Sequence, residues 1–174
     1  MPSITDFTSN FTGGGARADK FRAIITYPAS ISSPNVQDYI VVHNAILPGS
    51  TVSPTIVFFA GRQIPLFGDR QLEPMAITIM NDTSFSHRRT FEEWLNAIQS
   101  NQGNIQATAN YQQLLGTVQV DQLDRDDSVL KTYIFHNAFP DNLSQIDLDY
   151  SQTDQVQLYT VGFAFSHWSS DTTS

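Results

Sequence analysis

The sequence predicts a mainly β domain, a sandwich or small barrel, with one α-helix at its flank. Three observations predict it. Short alternations of apolar and polar residues recur along the chain with period two. Clusters of Pro, Gly, Asn and Ser separate them. One stretch, near residues 85–100, changes to the helical period. Several strands segregated from a single helix fit a closed or doubled sheet with the helix at an end or edge.

The 174 residues suit one domain. Residues 1–20 read as a polar N-terminal arm with a flexible joint at Gly13-Gly14-Gly15. A disordered terminus fits this composition equally. Phe7 and Phe11 favour an arm that docks, since a purely solvating tail seldom carries aromatics. In FRAIITY at 21–27, Phe21, Ala23, Ile25 and Tyr27 share one face, a strand pattern. Residues 28–35 form a loop, and DYIVVHNAIL at 38–47 reads as a second strand stopped by Pro48-Gly49. Two apolar runs, TIVFF and QIPLF, flank Ala60-Gly61-Arg62, a hairpin turn. Pro65 suits an edge or a position outside the main sheet.

MAITIM at 75–80 is a strand, and Asn81 to Ser84 offers N-cap chemistry for the helix, expected from about Phe85 to Ser100. Phe91, Trp94, Leu95 and Ile98 form its apolar stripe, which is expected to pack on the sheet. The polar stretch to Tyr111 is a loop. Thr117–Leu123 and Val129–His136 form a hairpin about Asp124–Ser128. Ile146, Leu148 and Tyr150 alternate with Asp147 and Asp149, a further strand pattern, and Val156–Phe165 closes the set. The domain is expected to span residues 21–168, with 169–174 a polar tail.

Composition narrows the function. No cysteine is present, which excludes a disulfide framework, thiolate catalysis and Cys-ligated zinc. A formal net charge of −8 disfavours binding to phosphate backbones and to anionic membranes. No segment approaches the ~18 apolar residues of a spanning helix, and MPSITDFTSNFTGGG lacks the basic and apolar regions of a secretory signal. His43, His87, His136 and His167 show no HxxxH or HExxH spacing, and Asp124, Asp126 and Asp127 lack the Gly and distal Glu of a calcium loop. There is no GxSxG elbow, Walker A loop or GxGxxG. The expectation is a protein without catalytic residues, metal or cofactor.

Five blocks stand in consistent order: GRQIPLFGDRQLEPMAITIMND at 61–82, FEEWLNAI at 91–98, QLDRDDSVLKTYIFHNAF at 122–139, PDNLSQIDLDY at 140–150 and YTVGFAFSHW at 159–168. Together they resemble the tail tube proteins of contractile-tailed phages. FRAIITYP and LPGST match more loosely. The resemblance runs from about Phe21 to Trp168. Met75 and Tyr150 stand where relatives carry Trp, and His43 stands near a position often held by Lys. The resemblance implies a tail-tube-like fold shared with type VI secretion tubes. It implies homohexameric rings stacked inside a sheath, a tube measured by a tape-measure protein, and ends met by baseplate and tail-terminator proteins. DNA passes through such a tube without specific binding. It implies a virion component, made in the host cytoplasm, with no membrane anchor.

The arm and the 48–70 hairpin suit ring-to-ring contacts, which makes Phe7, Phe11, Arg62, Asp69 and Arg70 the candidate inter-ring or inter-subunit residues. Arg62 and Arg70 are suited to carboxylates on the next ring; alternatively they form exposed pairs worth ~0–1 kcal/mol. Three other readings share parts of this pattern: a paralogue that starts or ends the tube, the tube of an extracellular contractile injection system, and a glycan-binding or hydrolytic β-sandwich.

Overall fold

The computed structural model describes residues 3–10, 15–105 and 110–172. In chain order its elements are α1 (Ile4–Asn10), β1 (Phe21–Thr26), α2 (Asp38–Val41), β2 (Val42–Ile46), β3 (Ser50–Phe59) and β4 (Arg62–Leu72). There follow β5 (Met75–Met80), α3 (Ser86–Ile98), a 3-10 helix (Tyr111–Leu114), β6 (Gly116–Leu123), β7 (Val129–Leu143), β8 (Leu158–Ala164) and β9 (His167–Ser170). The main sheet is antiparallel in the order β1-β6-β7-β8-β5-β2, with β9 added to β7. β3 and β4 form a separate two-stranded sheet. The protein is mainly β with a flanking helix.

β7 joins the two halves of the main sheet. Val129 to Ala138 pair with β6, and Phe139 to Leu143 pair with β8. Near the end of the first stretch, where the register with β6 slips between Phe135 and Ala138, Asn137 takes a left-handed φ of 53°, a region that Asn tolerates better than most residues. The register then slips between Pro140 and Asn142. Such bulges bend a strand and deepen its twist. Both halves therefore face one core. Ala23, Ile25, Val118, Val120 and Phe135 enter it from one half, and Met75, Ile77, Ile79, Val161 and Phe163 from the other.

α3 plugs this core. Asp82 caps it, Oδ1 accepting the Ser86 backbone N–H at 2.9 Å. Phe91 and Trp94 are fully buried and meet Phe163 edge-on. Trp94 Nε1 donates to the Leu114 carbonyl at 2.8 Å, so its one polar atom is satisfied in the interior. Gly116 makes room for it. A Cβ there would stand 2.5 Å from the Thr26 carbonyl oxygen and 2.7 Å from Trp94 Cη2.

Several expectations need correction. The helix stripe is rotated: His87, Thr90, Phe91 and Trp94 are buried, while Leu95 is only half-buried. Hydrogen bonds make the polar pair acceptable there: Thr90 Oγ1 donates to the Ser32 carbonyl at 3.1 Å, and His87 Nε2 lies 3.1 Å from Asp38 Oδ1 on α2. The arm contains a helix, because Ser3 and Asp6 form a reciprocal capping box. The Asp6 N–H donates to Ser3 Oγ and the Ser3 N–H to Asp6 Oδ2. Asp38 to Val41 is a helical turn rather than strand, because the Asp38 carboxylate is drawn inward. It accepts the Ile25 N–H at 2.9 Å and the Tyr27 hydroxyl at 2.8 Å.

Residues 146–150 form no strand. Ile146 alone of the alternating set packs on the core, while Leu148 and Tyr150 stand in solvent. Beyond His136 the chain stays in β7 through Leu143, the bulge admitting Pro140. Ser169 and Ser170, expected in the tail, instead lie in β9.

Gly116→Ala is expected to lower the unfolding free energy by about 1–3 kcal/mol through overpacking against Trp94 and the Thr26 carbonyl. Urea melts of the two proteins measure it.

Candidate assembly surfaces

The β3–β4 hairpin turns on Ala60 and Gly61, both left-handed at φ 48° and 76°. That is the two-residue geometry whose twist matches the flanking strands. Nearly every residue from Ser50 to Leu72 is exposed. Opposed residues share a face. Phe59↔Arg62, Val57↔Ile64 and Thr55↔Leu66 therefore define one face, and Phe58↔Gln63, Ile56↔Pro65 and Pro54↔Phe67 the other. Both faces are apolar, and both are in water. Phe58 and Phe59 are 71% exposed and Phe67 99%. Gly68 permits the register slip between Val52 and Pro54, since a Cβ there would lie 2.1 Å from the Ser53 carbonyl oxygen. The backbone N–H of Glu73 donates to the Gly49 carbonyl at 3.4 Å and closes the base.

The sequence-predicted contact residues fall on two separate features. Arg62 sits at the hairpin tip opposite Phe59, while Asp69 and Arg70 lie near the base, with Arg70 opposite Val52. Among the described residues none of the three forms an ion pair within the chain. Phe7 lies on α1, a helix that buries none of its own residues. Phe11 lies outside the described residues, as do Gly13 and Gly14 of the expected joint.

A third surface escaped the sequence reading. Residues 145–158, between β7 and β8, line an open hollow of about 600 Å³. Leu148, Tyr150 and Val156 are exposed on it. The segment is anchored at both ends. Ser144 and Thr160 exchange backbone and hydroxyl bonds of 2.8 and 2.9 Å, and the Asn81 N–H donates to the Gln157 carbonyl at 2.9 Å. The sequence signal was the Asp-flanked alternation from Ile146 to Tyr150. It marked apolar side chains on one side of the chain, without saying whether that side was covered.

Two carboxylates hold the frame behind these surfaces. Asp38 lies 3.1 Å from Nε2 of the buried His87, in addition to its bonds to β1. Burial, and next the Asp38 carboxylate, push the Tyr27 phenol well above its ordinary range, so it remains a donor. Ser86 Oγ, His87 and Asp38 run in a line, with Ser86 Oγ 3.4 Å from His87 Nδ1. The imidazole is enclosed, however, and the Ser86 hydroxyl donates to Asp82. This arrangement ties α2 to α3 and β1. Asp121, 1% exposed, spans three strands. It accepts from Arg22 at 2.8 Å, from Gln119 at 2.9 Å and from Thr132 at 2.9 Å. Burial raises its pKa, but the hydrogen bonds from Arg22, Gln119 and Thr132, with the guanidinium charge, hold the carboxyl below the usual range. Among the described residues, no three His, Asp or Glu side chains are grouped to hold a metal ion.

Comparison with known proteins follows the same outline. The model of a family described as phage tail tube protein matches residues 28–171. The tail tube protein of Serratia phage KSP90 is 27% identical over 175 residues, covering 98% of each chain. Among solved structures, a chain of the anti-feeding prophage baseplate superposes with a TM-score of 0.65 at 14% identity, covering 90% of this chain and 95% of that one. A chain of the sheath-tube complex of an extracellular contractile injection system, in its extended state, superposes at 0.54 and 14% identity, with 94% and 97% covered. At these identities the two structures speak to the fold.

Asp121→Asn is expected to cost about 1–3 kcal/mol at pH 7, the penalty for weakening a buried hydrogen-bonded group. Because the folded pKa is depressed, this stabilisation is complete above the unfolded value of about 3.9 and is lost as pH falls through the folded value. Urea melts of both proteins at pH 7 and pH 3 are expected to show the difference shrinking in acid.

Proposed function

The chain belongs to the phage tail tube protein family, and from that premise we propose that it builds the inner tube of a contractile tail. Six copies close into a ring, the rings stack within a sheath, and DNA leaves the virion through the lumen. The observation that carries this reading is the β3–β4 hairpin, apolar on both faces and bare in the single chain. An isolated two-stranded hairpin is marginal in water, and an exposed apolar surface of this kind marks an association site. A polymer covers it.

Other features support the same assembly. The main sheet ends in β1 and β2, and β9 forms a further short edge. Pairing each edge with a neighbour removes the hazard of an open strand. Six copies of a −8 chain give a ring a formal charge of −48. A wall of that sign repels DNA and so lets it slide. In this arrangement residues 1–20 act as the docking arm, 21–168 as the body and 169–174 as the tail, its first two residues completing β9. Phe7, Phe11, Arg62, Asp69 and Arg70 supply contacts between subunits or rings. The sheath encloses the tube, a tape-measure protein fills it during growth, and baseplate and terminator proteins meet its ends. The chain is made in the host cytoplasm and acts in the virion.

Negative-stain microscopy of the purified chain tests this reading. Long tubes are expected. Isolated rings would instead identify a subunit that starts or ends the tube, and monomers would overturn the proposal. Deleting residues 1–20 is expected to leave the domain folded and shorten the tubes; tubes of undiminished length would remove the arm from the stacking contact.

Arg70→Ala is expected to hamper polymerisation while leaving the melting temperature nearly unchanged. A large fall in melting temperature with normal tubes would make Arg70 a residue of the fold alone.

A further inference from the structure

The chain presents two surfaces that complement each other and do not meet within one copy. From Ser50 to Gly68 the only charged side chain is Arg62, set at the tip of an apolar hairpin. From Asn142 to Leu158 the only charged side chains are Asp147, Asp149 and Asp154, all exposed. They lie in the segment that forms the hollow, whose wall mixes Asp147, Asp149 and several Gln with Leu148, Tyr150 and Val156. The hollow is lined entirely by residues 145–158, and the hairpin supplies none of its wall. One surface is a projecting cationic knob, the other an acidic socket.

We infer that the hairpin tip of one copy seats in the 145–158 hollow of a second copy. This rests on the self-assembly reading above and names the receptor for the hairpin. The face that enters carries Phe59, Val57, Ile64 and Leu66, with Arg62 beside Phe59. Those apolar side chains meet Leu148, Tyr150 and Val156, each more than half exposed in the single chain. Arg62 then reaches the Asp residues around the hollow, its planar guanidinium suited to a carboxylate. Asp149 is ready to receive it: the backbone N–H of Ser151 donates to Asp149 Oδ1 at 2.9 Å and keeps the group ionised by lowering its pKa. The opposite face, with Phe58, Ile56, Pro65 and Phe67, is left for another neighbour.

The contact is heterologous, since the knob and the socket are different patches. Such a contact repeats into a ring or an open stack rather than ending at a dimer. Charge fixes register here more than it adds affinity. With a single positive charge at the tip and two acids, Asp147 and Asp149, in the wall of the hollow, a hairpin shifted along the socket loses its ion pair while the apolar contact persists.

The absence of cysteine makes the test clean. A chain carrying both Gln63→Cys, at the tip beside Arg62, and Gln152→Cys, in the wall of the hollow, keeps Arg62 intact; it is oxidised under assembly conditions and run on a non-reducing gel. A ladder of covalent multimers is expected, absent from either single variant. A ladder without tubes upholds the contact and strikes the tube reading; tubes without a ladder strike the contact and uphold the tube. The absent ladder also covers the case of a basic segment from another protein filling the hollow.

Charge exchange provides the second measurement. Arg62→Glu is expected to raise the concentration needed for assembly about tenfold, and adding Asp149→Arg to restore it. Assembly of Arg62→Glu at the wild-type concentration would overturn the proposal.

Discussion

The change of partner along β7 governs the rest of the structure. One strand hydrogen-bonds β6 with its first half and β8 with its second, and the left-handed Asn137 with the bulge at Pro140 turns it between them. The sheet therefore curls until its two halves look at the same space. Only then can Phe135 and Phe163 belong to one core, and only then does a single helix suffice to close it. Burial of each large side chain there contributes roughly 1.5–3 kcal/mol. Trp94 adds a requirement of its own, a carbonyl for its indole N–H and a residue without a side chain beside it. Leu114 and Gly116 meet both.

A frame closed in this way can afford surfaces that are not closed. The hairpin leaves the body immediately after β2, whose start is fixed by the Asp38 hub. Tyr27, the Ile25 N–H and His87 converge on that carboxylate from β1 and α3. At the other side of the hairpin, β5 pairs with both β2 and β8. The bond between Glu73 and Gly49 draws the two ends together. The hairpin thus has a hydrogen-bonded root and a bare tip, a disposition suited to an element that reaches another molecule.

Much of this was legible in the residues. MAITIM alternates and is a strand with three fully buried residues, Met75, Ile77 and Ile79. Ala60-Gly61 turned the hairpin because a Gly in that setting takes positive φ without strain. The misreadings share a cause: period-two and period-3.6 patterns report which side of a segment is apolar, and tertiary contacts decide what that side meets. Asp38 made DYIV helical by a hydrogen-bond demand from residues far along the chain. Leu148 and Tyr150 alternate as a strand does, yet no strand pairs with them. Leu95 gave way to His87 and Thr90 because those polar side chains found acceptors in the interior. In the candidate surfaces, Arg62 and Arg70 could be placed on the hairpin from sequence, whereas the hollow of 145–158 required the fold.

An apolar hairpin held in water invites indiscriminate association, and the chain carries two restraints against it. The first is chemical. Pro54 lies in β3 and Pro65 in β4, and each lacks the N–H that an added strand would use. Proline is accommodated in a ladder where its nitrogen faces outward, so the missing donors weaken the outer edges of the hairpin, where strand-by-strand aggregation begins. Its faces remain available, while each edge lacks one donor. The second restraint is electrostatic. At a net charge of −8, two chains that meet at random repel one another. The lone positive charge between Ser50 and Gly68 is then the exception to the general sign, and it lies at the tip. Repulsion discourages most encounters and this charge favours acidic receivers. The sign of the net charge and the placement of this one cation together bias which approach between two chains is favourable.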